Sequence, residues 1–313
     1  MMRILFMGTP DFALFSLKAL VEAGENVIGV ITQPDKPKGR GYTLTPPPVK
    51  VYALDRGIPV YQPTTLRGEE FAKQLEELAP ELIVVAAYGK ILPANVLDYP
   101  KYGCVNVHGS LLPEYRGAAP MQRAIIDGKR ETGITTMMMD VGLDTGDMLL
   151  KQVVAIEAND NFETVHDKLG ACGAEVLLAT LAQIRQGTLT REKQDESLAT
   201  YAAKIEKNDC VIDFTQSAQA VHDRIRGLSP IPVAFTYTPD GKMLKVIASE
   251  VVTGEGSGAP AGTVTSLSGG KITVACGTGC VALLTVLPEG KKRMSASDFI
   301  NGRKISEGDL LGK

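Results

Sequence analysis

The 313-residue sequence predicts an α/β protein with two domains: a doubly wound, Rossmann-like, mostly parallel sheet, followed by a C-terminal OB-like β-barrel. Three observations predict it. Over 3–186, apolar runs of strand length alternate with segments of helical period. Over 188–205 the chain turns polar and loses periodicity. Beyond that, short β-type runs follow one another between Gly and Pro turns. The expected domains are therefore 1–188 and 207–313, joined by a linker over 189–206.

Each element has its own signal. The apolar run 3–7 reads as a buried strand, and Gly8-Thr9-Pro10-Asp11 as a turn. A helix over 12–22 closed by Gly24, then a Val- and Ile-rich strand over 26–31, completes a βαβ opening. The stretch 33–48 breaks the pattern. It holds Pro34, Pro37, Pro46, Pro47 and Pro48 together with the basic Lys36, Lys38 and Arg40. Connections in α/β units usually run to about 2–6 residues, so a longer aperiodic one reads as either a functional or a disordered loop. Alternation then resumes, with helices expected over 49–55, 68–78, 121–126 and 161–186. Strands are expected over 58–61, 82–87, 105–108 and 133–139, with an edge strand over 148–156. In the C-terminal domain a short helix over 218–226 precedes strand-like runs at 233–237, 244–249, 262–267, 271–275 and 281–286.

Composition narrows the function classes. A chain 44% hydrophobic and 22% charged buries a core and is not disordered. Its net charge of −3 gives no overall nucleic-acid signature, and DNA is not an expected partner. From Lys207 onward, however, twelve Lys and Arg outnumber ten Asp and Glu, a weak sign of an anionic partner there. Five scattered cysteines fit a reducing compartment rather than a disulfide framework. No signal-peptide pattern opens the chain, and no apolar run approaches the ~18 residues of a membrane span. A cytoplasmic monomer with no membrane partner is expected.

The chemistry concentrates in Asn106-Val107-His108-Gly109-Ser110-Leu111-Leu112-Pro113. Val105 and Val107 alternate with Asn106 and His108, the period of a strand, so the two polar residues share a face roughly 6.5–7 Å apart. One is a neutral donor, and the other titrates near neutrality. Acyl transfer needs such a pair, one group for a developing oxyanion and one to move a proton. A carboxylate in the turn 140–147 could orient His108, and spacing alone leaves Asp144 and Asp147 open.

The run NVHGSLLPEYRGAAP resembles the signature of the 10-formyltetrahydrofolate-dependent formyltransferases, and MDVGLDTGDML resembles their second signature. The segments MGTPDFA, TQPDKPKGRG, PPPVK and VAAYGKILP, with the barrel-like C-terminal domain, resemble the branch of that family whose acceptor is methionine on initiator tRNA. The resemblance covers essentially the whole chain. It implies a catalytic trio of Asn106, His108 and Asp144, with 10-formyltetrahydrofolate as formyl donor and no metal. It places folate against Ser110, Leu111, Leu112 and Pro113, and its pterin ring against backbone groups near Tyr88 and Ile91 and along Asp140, Val141, Gly142 and Leu143. It implies that initiator Met-tRNA is met by Lys36, Lys38 and Arg40, with Arg40 the most sensitive. Lys291, Lys292 and Arg293 would add backbone contacts from the C-terminal domain.

Other features have plainer readings. His166 reads as a surface position and His222 as structural. The Cys276-Gly277-Thr278-Gly279-Cys280 run joins two strand-like segments and lacks a second ligand pair, so it reads as a hairpin turn. The first turn lacks G-x-G-x-x-G, which weighs against a nicotinamide dehydrogenase on the same kind of sheet. An amino-sugar or purine-precursor acceptor would need neither the basic loop nor the barrel. A non-catalytic RNA binder would not need all of Asn106, His108 and Asp144.

Overall fold

Strand β1 (Ile4–Gly8) is buried along its whole length, as a parallel strand covered on both faces must be. It leads into α1 (Asp11–Glu22) and β2 (Val27–Ile31), with Gly24 at φ +72° closing the helix. The structure is a computed structural model and describes residues 1–38, 43–253 and 258–312, without the side chains of Lys38 and Thr43. Arg40 lies outside the described residues. The chain separates into two units. One comprises Met1–Pro120, Thr132–Ala155 and His166–Ala202, and the other Met121–Glu131, Ile156–Val165 and Ala203–Lys313.

In the first unit, β3 (Lys36–Lys38) and β4 (Thr43–Thr45) form an antiparallel ribbon. The segment expected as an aperiodic loop thus carries strands, each too short to show a period. At its base Asp35 accepts from Lys50 Nζ at 2.8 and 2.9 Å and from Gln62 Nε2 at 2.8 Å. The Lys50 hydrogen bond leads in holding the Asp35 carboxyl below the usual carboxylate range. There follow α2 (Pro48–Asp55), β5 (Val60–Tyr61), α3 (Glu69–Leu78), β6 (Leu82–Ala86), α4 (Ala94–Leu97) and β7 (Cys104–His108). Next come β8 (Arg116–Gly117), α5 (Pro120–Ile126), which from Met121 on belongs to the second unit, β9 (Glu131–Met138), β10 (Met148–Ala155), α6 (Phe162–Gln186), which joins the first unit from His166, and β11 (Tyr201–Ala202).

The main sheet runs β10-β9-β7-β6-β1-β2-β5. All the pairings from β7 to β5 are parallel, and β9 runs antiparallel to β7. Strand order reverses between β1 and β6, so their carboxyl ends flank the position where open α/β sheets bind ligands. Strand β7 is the next strand over. Leu5, Met7, Ile83, Val85 and Cys104 pack on one face against Phe71 and Leu75 of α3 and Val96 of α4. Burial pushes the Cys104 thiol up to about 12. Because Cys104, Asn106 and His108 alternate with Val105 and Val107, the apolar face under α3 and α4 continues directly into the two polar residues. His166, expected at the surface, instead lies edge-on to Phe12 and Phe15, with ring centroids 5.8 and 6.0 Å away. Helical period alone could not reveal that two aromatic rings of α1 cover it.

The second unit holds α7 (Ala218–Gly227), β12 (Ala234–Tyr237), β13 (Met243–Val252), β14 (Val264–Ser266), β15 (Ile272–Ala275), β16 (Cys280–Pro288), β17 (Met294–Ser295) and α8 (Ala296–Asn301). Its antiparallel sheet runs β12-β13-β16-β15-β14, with β17 added to β16. Register shifts around Ala248 in the β13–β16 pairing bend the sheet into a half-barrel. Leu244, Val246, Ile272, Val274, Val281 and Leu283 fill it, closed by Val221 and Ile225 of α7 and Phe299 of α8. No helix among the described residues is long and apolar enough to cross a membrane. No three His, Cys, Asp or Glu residues among them gather as metal ligands would.

Candidate active site

Strand β7 delivers Asn106 opposite Met137 and His108 opposite Thr135 of β9. Both are buried, Asn106 at 9% and His108 at 6% exposure. The Asn106 amide makes no hydrogen bond to another described residue, and it is not among the fully buried side-chain groups left without a partner, which include the Tyr88 hydroxyl. After the strand, Ser110 Oγ donates to the Glu114 carbonyl at 2.6 Å. Thr135 Oγ1 donates to the Ser110 carbonyl at 2.8 Å and accepts from the Leu112 N–H at 3.1 Å. The Leu112–Pro113 bond is cis.

His108 is fixed from one side. Its Nε2 lies 3.0 Å from the Tyr115 carbonyl, which can only accept, so Nε2 carries the proton. Nδ1 faces Asp144 Oδ2 at 3.8 Å, beyond hydrogen-bond reach, and is the nitrogen left to exchange a proton. Asp144 Oδ2 accepts from the Gly117 N–H at 2.8 Å. Asp144 and Tyr115 both sit in the left-handed region, at φ +54° and +59°. Of the two acids that spacing left open, Asp144 is therefore the one the structure brings to His108.

The turn carrying Asp144 has a tight frame. Asp140 Oδ1 accepts from the Gly142 N–H at 2.9 Å and from Thr145 Oγ1 at 2.6 Å. A Cβ on Gly142 would lie 1.9 Å from Thr145 Oγ1, and one on Gly146 1.7 Å from the Met138 carbonyl. Only glycine permits either approach. The exposed side chains of Val141 and Leu143 crown the turn.

Of the segment 189–206, read from sequence as a connection, residues 192–202 run as a strap along the first unit. Glu192 and Met148 exchange backbone hydrogen bonds at 2.8 and 2.9 Å. Gln194 Nε2 donates to the carbonyls of Asp144 at 2.7 Å and Gly146 at 2.8 Å, while its Oε1 accepts from Arg116 Nε at 3.0 Å. The Arg116 guanidinium, with no exposed surface, forks onto Glu196 at 2.7 and 2.9 Å. That contact raises the Arg116 pKa and lowers that of Glu196. Thr200 Oγ1 accepts from the Tyr115 N–H at 2.8 Å, and β11 pairs in parallel with β8. Sequence reasoning missed Arg116, Gln194 and Thr200. A usable signal was present: Arg116 precedes the small residues Gly117, Ala118 and Ala119, and a buried guanidinium requires a carboxylate from elsewhere in the chain.

The remaining expected residues divide sharply. Ile91, Asp140, Val141, Gly142 and Leu143 are exposed, and Leu111 and Pro113 are half-buried. Ser110 and Leu112 are buried, with the Ser110 hydroxyl committed to Glu114. The Tyr88 ring is core, and burial moves its hydroxyl up to about 12. Its carbonyl already accepts from Thr9 Oγ1 and Gln33 Nε2, each at 3.2 Å. Lys36 is exposed on the ribbon, and Lys291, Lys292 and Arg293 are exposed before β17. The Arg40 expectation and that for the Lys38 side chain lie outside the described residues.

The family model described as formyl transferase matches residues 2–181, and its C-terminal domain model matches 204–304. The chain belongs to the formyl transferase family. This formyl transferase is 52% identical to a methionyl-tRNA formyltransferase of Citrifermentans bemidjiense, aligned over 100% of this chain and 97% of the relative. It is 50% identical to a methionyl-tRNA formyltransferase of Caldanaerobacter subterraneus, over 99% of this chain and 100% of that one. Among solved structures it resembles an N-formyltransferase from Helicobacter canadensis in complex with folinic acid and dTDP-3-aminofucose. The TM-score is 0.67 at 20% identity, over 90% of this chain and 99% of the other. At that identity the likeness concerns the fold alone.

Proposed function

We infer that this chain transfers the formyl group of 10-formyltetrahydrofolate to the α-amino group of methionine on initiator tRNA. The observation that carries the reading is the approach of Asp144 to His108 at the carboxyl end of β7, with Asn106 two residues earlier on the same face of the strand. It stands in a chain about half identical, end to end, to methionyl-tRNA formyltransferases.

The residues fit a ligand with apolar faces and a polar edge. Ile91, Val141 and Leu143 offer exposed apolar surface, and the Asn106 amide, with no hydrogen bond to another described residue, offers donors. The folate supplies an activated formyl group, and the chain's side chains do the rest. Asn106 donates to the formyl oxygen as negative charge develops there. Removing such a donor typically costs about 3–4 kcal/mol of transition-state stabilisation. His108, with Nε2 anchored on Tyr115, exchanges the proton at Nδ1 with the attacking amine or the departing nitrogen. General acid–base help of this kind contributes roughly 10²–10⁴-fold. Asp144 stabilises the imidazolium when it forms.

Ser110, Leu112 and Tyr88 act from beneath, as the buried frame of the folate site, and Ile91 and Asp140–Leu143 act as its rim. Lys36, Lys38 and Arg40 meet the acceptor end of the tRNA. Lys291, Lys292 and Arg293 track its backbone electrostatically. The functional division at 1–188 and 207–313 belongs to the same proposal and is supported by family matches over 2–181 and 204–304.

The test is a transfer assay with labelled 10-formyltetrahydrofolate and two acceptors, Met-tRNA and an amino-sugar nucleotide. Label is expected on Met-tRNA only. Label on the sugar, with none on the tRNA, would overturn the acceptor and keep the chemistry.

A further inference from the structure

We propose that the strap formed by residues 192–202 is the positioning element of the His108–Asp144 pair, acting through the side-chain amide of Gln194 and the hydroxyl of Thr200. The proposal rests on the formyl-transfer reading above and adds the residues that set its geometry.

The contacts form two arms. In the first, the Gln194 amide donates to both the Asp144 and Gly146 carbonyls, at 2.7 and 2.8 Å. These two carbonyls flank Thr145 in the turn that presents the Asp144 carboxylate, and Asp144 itself is held at φ +54°. A non-glycine residue leaves that region unless its neighbours restrain it. Gln194 is restrained in turn, because its Oε1 accepts from Arg116 Nε, and the buried Arg116 is locked onto Glu196 by a two-pronged ion pair. In the second arm, Thr200 Oγ1 accepts from the Tyr115 N–H, and the Tyr115 carbonyl accepts from His108 Nε2. Tyr115 is likewise left-handed, at φ +59°, which aims its carbonyl at the imidazole. Between the arms, the Arg116 N–H donates to the Thr200 carbonyl, and the next N–H, that of Gly117, donates to Asp144 Oδ2. One strap thus restrains both the proton carrier and its carboxylate. Displacements near 1 Å in such a pair cost on the order of 100-fold in rate.

Gln194 is a positioning residue, and two substitutions separate its roles. Gln194→Met removes both halves of the amide at similar volume. Gln194→Glu keeps the acceptor for Arg116 but turns carboxylate oxygens toward two carbonyls, so only the donor half is lost. The chain has three histidines, His108, His166 and His222, so the ring signals can be resolved by NMR in labelled protein. In both variants kcat for Met-tRNA formylation is expected to fall at least tenfold, with both KM values changed less than twofold. The His108 ring resonances shift while those of His166 and His222 stay in place. Thr200→Val is expected to shift the same resonances through Tyr115. A kcat within twofold of the parent for Gln194→Met, with His108 unmoved, would overturn the proposal. So would full recovery in Gln194→Glu, which would make Gln194 a spacer for Arg116. The NMR readout needs no substrate. If the parent protein fails to formylate Met-tRNA, the functional reading falls, while a His108 shift in the variants still establishes the strap.

Discussion

At the scale of single residues, the site turns on Asp144. Its carboxylate serves His108 and the Gly117 N–H, and its backbone occupies a conformation in which Asn is among the few tolerated replacements. Asp144→Asn keeps the backbone and an oxygen for Gly117 but removes the charge that favours an imidazolium. We expect kcat to drop by about 10²–10⁴-fold with little change in melting temperature, as for the orienting carboxylate of a hydrolytic triad. Asp144→Val should lose activity and also about 1–3 kcal/mol of stability, because a branched side chain is strained there. Comparing steady-state kinetics with thermal melts checks both. Asn106 and His108 were legible in the sequence because a period of two puts them on one face. The choice of Asp144 over Asp147 came from the resemblance of MDVGLDTGDML to a family signature and not from spacing. Its physical basis, a left-handed residue and the approaches at Gly142 and Gly146, becomes visible only once Met138 and Thr145 are placed.

At the scale of elements, sequence legibility followed length. Strand β6 is an unbroken apolar run and helix α6 is long enough to display a helical period, and for both the expected and observed bounds agree within one residue. The ribbon β3–β4 and the pair β8–β11 have two or three residues per strand, too few for any period, and only the tertiary pairing creates them. Helix α7 offers a pH test. On it, His222 Nδ1 pairs with Ser249 Oγ at 3.0 Å, and Asp223 accepts from Arg226 Nε at 2.6 Å and from Gln219. Burial dominates in lowering the His222 pKa from 6.5, outweighing the opposing pull of Asp223. Below pH about 6.5 the unfolded chain therefore binds a proton at this site that the folded unit resists, and folding stability falls as pH falls. The urea midpoint of the chain should decline between pH 7.5 and 5.5, and His222→Gln should flatten that decline. An equal slope in the variant would place the acid sensitivity elsewhere.

At the scale of the whole molecule, composition and hydrophobic rhythm were enough to expect an α/β unit followed by a small β unit. They could not reveal that 121–131 and 156–165 pack with the C-terminal half-barrel, because contact partners distant in sequence leave no local pattern. Nor could polarity separate a free connection from a strap whose polar side chains are spent on buried backbone. The central claim is that the group at the end of β7 performs the chemical step of formyl transfer to Met-tRNA. Single-turnover formylation, with enzyme in excess and folate saturating, isolates that step. The account predicts rapid transfer by the parent protein and a fall of at least 100-fold for His108→Ala, with the variant folded and binding folate as the parent does. A single-turnover rate for His108→Ala within a few-fold of the parent would contradict it.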